Sequence, residues 1–226
     1  IARTQGIAPE QDALTRHERS ARSRISKAYE LLAGQPASLV GLSDQERDNV
    51  VVSAVLDEEG NTLVLSRVRD MVWEMWPFVT TPNTRVNRKR LDWSGIPDAY
   101  REACQNVLFH YWKVGRLGQT LPEVSTLFNT LQNLRIFCRY VSGLGLPSLA
   151  DVQPLHIANF VHAQKTAGLA ARTLVGHFSD VELLYDMRDQ HKATLQAHPW
   201  PESSASEMAG WVGQEGLDAR KVALTP

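Results

Sequence analysis

Between Pro122 and Thr194 the apolar residues return every third or fourth position in three consecutive stretches. That is the period of a helix buried along one side, and a strand, whose period is two, cannot satisfy it. The first stretch, Pro122 to Ser142, turns Val124, Leu127, Leu131, Leu134, Phe137, Cys138 and Val141 inward and is closed by Gly143 and Gly145. The second runs from Pro154 to about Gly168 with Ile157, Phe160 and Val161 on its stripe. The third runs from Arg172 to about Thr194 with Leu174, Phe178, Val181, Leu184 and Tyr185 inward. A further helical pattern, Tyr100 to about Arg116, precedes them and carries Ala103, Val107, Leu108, Tyr111 and Trp112. The expected fold class is therefore mainly α: a helical bundle over 91–200, with 91–120 as its leading helix, preceded by a smaller helical or α+β domain over 1–90.

The amino-terminal region is less regular. Asp12 to Leu32 reads as a helix with Leu14, Ile25, Ala28, Tyr29 and Leu32 on one side and arginines between them. Leu42 to about Leu56 reads as a second helix, opened by Ser43 with Glu46 three residues on, the pattern of a capping box. Asp57 to Asn61 is a polar turn, and Thr62 to Leu65 a short strand or the approach to another helix. Arg67 to Phe78 is expected as a short buried helix stopped by Pro77, and Thr80 to Arg90 as a basic connector that marks the boundary. After Pro201 the Ser/Glu/Gly-rich sequence to Pro226 is expected as a linker.

A chain of 226 residues suits one large domain or two small ones. It has no run of about 18 apolar residues, so no segment is expected to cross a bilayer. No basic stretch followed by an apolar one opens it, although it begins at Ile1 rather than Met. Cys104 and Cys138 lie in helical, apolar surroundings without a ligand spacing, which points to two reduced core thiols and away from a zinc site. Net charge is -1, unusual for a nucleic-acid binder, but the charges are unevenly spread. Residues 34–70 hold three Lys/Arg against seven Asp/Glu, whereas 71–120 hold seven against four. The positive charge collects at Arg85, Arg88, Lys89 and Arg90, with a second group at Arg16, Arg19, Arg22, Arg24 and Lys27.

Residues 121–201 resemble the core-binding, SAM-like domain of tyrosine recombinases, the phage-type integrases. The resemblance is carried by Leu134-Arg135-Ile136-Phe137-Cys138-Arg139-Tyr140 on a long helix, by Ser148-Leu149 opening a short acidic turn, by Ile157 with Phe160-Val161, and by Gly168-Leu169-Ala170-Ala171-Arg172-Thr173 leading into a helix with Leu183-Leu184-Tyr185. Lys221 to Pro226 resembles the opening of that family's catalytic domain. Residues 36–120 resemble an extra amino-terminal region of recombinases on large mobile elements, through Leu65-Ser66-Arg67, Asp70, Trp73, Pro77, Asn83 and Leu91-Asp92-Trp93. The family clamps its recombination site between this module and a catalytic domain that holds the tyrosine nucleophile. The resemblance thus implies a DNA-gripping portion with no catalytic residue of its own and no cofactor or small-molecule substrate. It further implies self-association with other protomers on double-stranded DNA, and a bacterial cytoplasmic, nucleoid-associated location.

Two polar helix starts are the expected contact faces. Thr126, Asn129 and Asn133 lie off the apolar stripe of the first stretch, with Arg135 and Arg139 sharing a face further on. Lys165, Arg172, Thr173 and His177 surround the start of the third. Lys and Arg attract phosphates, and amides at helix starts add donors. The basic run Arg85, Arg88, Lys89 and Arg90 is a candidate phosphate-contacting arm. A helical protein–protein or regulatory module is the alternative, since 121–192 hold six charges of each sign. A self-contained enzyme is disfavoured: the sequence has no Gly-rich phosphate loop, no Gly-x-Ser-x-Gly elbow and no His-Glu-x-x-His.

Overall fold

The computed structural model describes residues 34–81 and 83–211. Ser43 caps the first helix, α1 (Asp44–Asn49), through the expected reciprocal box: the Ser43 amide donates to Glu46 Oε2 at 2.9 Å and the Glu46 amide to Ser43 Oγ at 3.4 Å. The helix does not continue to Leu56. Val50-Val51-Val52 is a β-branched run whose side chains lose rotamer freedom in a helix, and the chain straightens there into β1 (Val51–Leu56). β1 pairs antiparallel with β2 (Thr62–Arg67), the strand alternative at Thr62. Their turn is fastened by the Asp57 carboxylate, which accepts from the Asn61 amide at 2.7 Å.

The short helix expected over Arg67–Phe78 is also corrected. That segment forms β3 (Val72–Glu74) and a 3-10 turn, Trp76–Phe78. Trp73 and Met75 are buried on either side of a half-exposed Glu74, a period of two that a few residues of rich apolar sequence disguise. β3 pairs antiparallel with β4 (Arg90–Asp92), Trp73 opposite Leu91. The boundary expected after residue 90 therefore falls inside a strand pair. A single cluster of buried side chains runs from Leu39 through Trp73 and Trp93 to Ala209. Between β3 and β4 the basic segment winds into a 3-10 turn, Val86–Lys89.

Trp73 meets Trp93 edge-on, with centroids 4.8 Å apart, and reaches Phe109 at 6.3 Å. Phe109 belongs to α2 (Asp98–Val114), so these rings seat the second sheet on that helix. Behind α2 come α3 (Val124–Gly143), α4 (Pro154–Thr166) and α5 (Ala171–Asp186), close to the expected bounds except at the last end. α5 stops at Asp186 instead of reaching Thr194, and the chain passes through a 3-10 turn, Arg188–Gln190. Thr194 is buried there, its hydroxyl donating to the His191 carbonyl at 3.0 Å. Phe137, Phe160, Phe178 and Trp200 stand in a file with centroids 5.1, 6.2 and 5.6 Å apart, joining α3, α4, α5 and the following segment.

The first part of the expected linker is folded. Ser204 and Glu207 cap α6 (Ala205–Ala209), whose Ala205 and Ala209 are buried, and the Ala205 amide donates to Glu182 Oε1 at 2.9 Å. Glu182 accepts from the Trp200 indole as well. The helix-rich fold thus carries two small antiparallel sheets. The expected helix over 12–32 and the catalytic-domain resemblance at 221–226 lie outside the described residues.

Cys104 and Cys138 are buried and free, with Sγ atoms 3.6 Å apart across α2 and α3. The neighbouring Cys104 thiol and burial together push the Cys138 thiol well above its ordinary range.

Arg135 ties α3 to the second sheet. Its guanidinium donates to the Asp92 carbonyl and to Gln132 Oε1 at 2.9 Å, and lies 4.0 Å from the Asp92 carboxylate. It passes so close over Gly95 that a Cβ there would meet Arg135 Nε at 2.6 Å. Gly95→Ala should displace the guanidinium and cost about 1–3 kcal/mol of stability, the usual range for overpacking. In an Arg135→Ala background the same change should cost much less. Equal costs in both backgrounds, measured by urea unfolding as a double-mutant cycle, contradict the contact.

Candidate nucleic-acid interface

A residue can meet a duplex only if its polar end is outside and not already committed. α3 divides its polar residues on that criterion. Thr126 and Asn129 are exposed on its first turns, beside a start whose N-cap, Glu123, makes no side-chain capping bond. The Thr126 and Leu127 amides donate to the Glu123 carbonyl at 2.9 and 3.1 Å, so the donors this start can offer are the amides ahead of Thr126, which have no acceptor within the helix. The 3-10 turn 86–89 packs beside it, and Arg88 lies over the ring of Phe128 at 5.6 Å. Thr81, Asn83, Thr84, Arg85, Arg88 and Ser125 line a shallow groove of about 540 Å³ at this junction. Arg85 and Arg88 of the basic run and the start of α3, 36 or more residues apart in sequence, are thereby one surface.

Arg85 and Arg88 are exposed, and no carboxylate lies within 4.0 Å of either among the described residues. Lys89 is half-buried, and its carbonyl accepts from the Met75 amide at 2.8 Å. Arg90 is exposed on β4, where its charge helps lower the Asp92 pKa after the larger effect of hydrogen bonds from Ser94.

A second exposed group surrounds the turn between α4 and α5. Lys165, Arg172 and Thr173 all face outward. Gly168, at φ 71°, makes the reversal between the helices, a left-handed conformation that side chains resist. The start of α5, with Ala170 at the N-cap, has no side-chain cap either.

Three expected contact residues are turned inward. His177 is only 7% exposed, and its Nδ1 lies 2.9 Å from Gln164 Oε1; burial lowers its pKa and favours the neutral ring. The reason is positional: His177 follows Leu174 by three and precedes Val181 by four, so it shares their buried face. Asn133 donates to Asp180 Oδ2 at 2.7 Å, while buried Thr130 donates to Oδ1 at 3.0 Å. Arg135 is committed to Asp92 and Gln132, as described above. Arg139, one turn further, is exposed, so the expected Arg135–Arg139 face is split between interior and solvent.

The Asp180 carboxylate was not singled out by the sequence, and it is the most perturbed acid of the region. Burial raises its pKa to about 6, against the lowering effect of Asn133, Thr130 and the Arg116 guanidinium. Arg116 itself donates to the Ser179 carbonyl and lies 3.8 Å from Asp186. A run of the same polar types in the sequence gives no hint of this network, because its members are about 50 residues apart. Among the described residues no group of three or more His, Cys, Asp or Glu side chains is gathered to hold a metal ion. No described helix is long and apolar enough to cross a membrane.

Asp180 makes a pH signature. Its folded pKa lies above the unfolded value, so the fold binds this proton more readily than the unfolded chain does. Its contribution to stability is greatest below about pH 4 and is lost as pH rises through about 6, in total on the order of 3 kcal/mol. Asp180→Asn should remove that dependence: the wild-type-minus-variant difference in urea unfolding should change between pH 7 and pH 4.5, with the wild type gaining at the lower pH. A constant difference would contradict the assignment. No family model matches the chain, and neither the curated proteins nor the solved structures contain a match to it.

Proposed function

We propose that this chain is the DNA-gripping, non-catalytic part of a tyrosine-type site-specific recombinase. In this reading α3, α4 and α5 form the helical core-binding module, and strand cleavage belongs to a separate catalytic domain of the parent protein. The observation that carries the reading is the pair of outward cationic groups set at helix starts. One is Arg85 and Arg88 with Thr126 and Asn129; the other is Lys165 and Arg172 with Thr173. Cations beside uncapped helix starts hold phosphates, and neutral Thr and Asn side chains supply hydrogen bonds to phosphates or base edges. Arg139 adds a further exposed charge on α3. The partner is double-stranded DNA bearing a recombination site, on which several protomers assemble, and the working location is with bacterial DNA in the cytoplasm.

A helical protein–protein module is the second reading, favoured by one observation: Val114, Leu117 and Leu121 are exposed apolar side chains near the α2–α3 connection. The two readings separate in a salt titration of binding to a fluorescent duplex. A phosphate grip weakens linearly in log affinity against log salt. Arg85→Ala with Arg88→Ala, and separately Lys165→Ala with Arg172→Ala, should each reduce the slope by about 2, roughly one for each cation removed. Asn133→Ala and His177→Ala should leave the slope unchanged and lower stability instead. A chain that ignores duplexes even in dilute buffer is not the proposed grip.

A further inference from the structure

Trp73 and Trp93 are sealed in the core, whereas Trp76, three residues past Trp73, is 45% exposed. Its neighbours hold it there. Met75 is fully buried before it, and Pro77 and Phe78 are buried after it, Phe78 against Trp112 with ring centroids 5.1 Å apart. The 3-10 turn is thus anchored on both sides while its indole stands outside. Among the described residues no other ring and no cation lies on that indole. The basic turn is beside it. The Met75 amide donates to the Lys89 carbonyl at 2.8 Å, and Trp76 and Arg88 each lie one residue beyond that bond. Their Cα atoms are therefore no more than about 15 Å apart. Arg85 and Arg88 are exposed there, with Val86, 77% exposed, between them. Two carboxylates temper the charge, Glu74 opposite Arg90 in the strand pair and Glu123 beside Arg88. Arg85, Arg88, Lys89 and Arg90 remain in excess, so the surface is an open aromatic face edged by cations.

We infer that Trp76 stacks on an unpaired base of the DNA strand whose phosphates Arg85 and Arg88 hold. The inference rests on the proposed DNA grip and narrows its ligand, from a uniform duplex to one interrupted by an unpaired nucleotide. In a paired duplex both faces of each base are covered by its neighbours in the stack, so an indole outside has nothing to lie on. An unpaired base presents a free face. Stacking on an aromatic ring then adds affinity whatever the base, since every base has such a face, and cations alongside track the backbone. The span from Trp76 to Arg88 is at most about four nucleotides of one strand, at roughly 3.4 Å each. Charge complementarity selects this occupant. A protein surface, or a second copy of the chain, seated on the indole would have to desolvate the neighbouring guanidinium groups, which is costly without carboxylates to meet them.

Equilibrium binding of the full chain to two fluorescent duplexes tests the stack, one fully paired and one carrying a single unpaired thymine. The wild type should prefer the interrupted duplex at least about fivefold, the lower end of what a base–aromatic stack supplies. Trp76→Ala should bring the two affinities together, and Trp76→Phe should keep part of the preference. The slope of log affinity against log salt should stay that of the wild type, because no cation is removed. The preference is a ratio within each variant, so a loss of fold lowers both affinities and cannot imitate its disappearance. Equal wild-type affinity for the two duplexes overturns the inference and leaves the grip standing. So does a preference that Trp76→Ala retains, which then belongs to the flexibility of the interrupted DNA. Absence of binding to either duplex removes the grip and the stack together. A free chain that sediments as a dimer, and that Trp76→Ala makes monomeric, assigns the indole to a second copy and also overturns the inference.

Discussion

α3 meets the rest of the protein on several sides, and each meeting uses a different kind of contact. Leu127, Leu131, Leu134 and Phe137 are fully buried along one side. Arg135 reaches β4, Thr130 and Asn133 reach α5 through Asp180, Cys138 faces Cys104 of α2, and Tyr140 donates to the His156 carbonyl in α4 at 3.0 Å. A helix held by apolar packing alone can rotate or slide by one turn at modest cost. Directional bonds on separate faces fix its register, because any shift leaves a buried donor without its acceptor, at about 1–3 kcal/mol each. The sheets, the basic turn and α5 are all positioned relative to this one element.

That demand also limits where a ligand can sit. Most of α3's polar positions are consumed by neighbours, so the surface left for recognition is narrow: Thr126 and Asn129 at its start and Arg139 near its end. The start is enlarged by the 86–89 turn, whose Arg88 rests on Phe128. Phe128 is half-buried and off the main stripe, and it links an arginine of the connector to a helix that begins 36 residues later. A guanidinium lying on an aromatic face keeps its edge free to donate, so this packing orients Arg88 without consuming its hydrogen bonds.

The helices of the carboxyl-terminal half were legible because each repeats its apolar period over many turns. The amino-terminal half was misread where the signal was short. Val50-Val51-Val52 extended a capped helical pattern by sequence continuity, although β-branched crowding ends it at Asn49. Trp73 and Met75 obey a two-residue alternation, but one flanked by Met71, Val72 and Trp76 is indistinguishable from a buried helical turn. Among the site residues, His177 could have been placed inward from its spacing to Leu174 and Val181. Asn133 and Arg135 could not, since Asp180 and Asp92, their partners, lie 47 and 43 residues away. A polar residue on a helix flank is ambiguous until the neighbouring element is known.

The same segregation bears on the near-zero net charge. A sum of -1 suggests a surface without preference for anions, yet the acids and bases are not equivalent in their surroundings. Asp180 is enclosed between helices, Asp92 is engaged by Ser94 and Arg135, and Asp57 is folded onto its own turn. Arg85, Arg88, Lys165 and Arg172 project outward, away from any ion pair among the described residues. Exposed charges act over a screening length of about 8 Å at physiological salt. An approaching polyanion therefore responds to the local arrangement of guanidinium and ammonium groups. Asp180, Asp92 and Asp57, held by their own partners, contribute to the total but little to the field at those two helix starts, where Glu123, exposed at the start of α3 beside Arg88, is the carboxylate that opposes the cations.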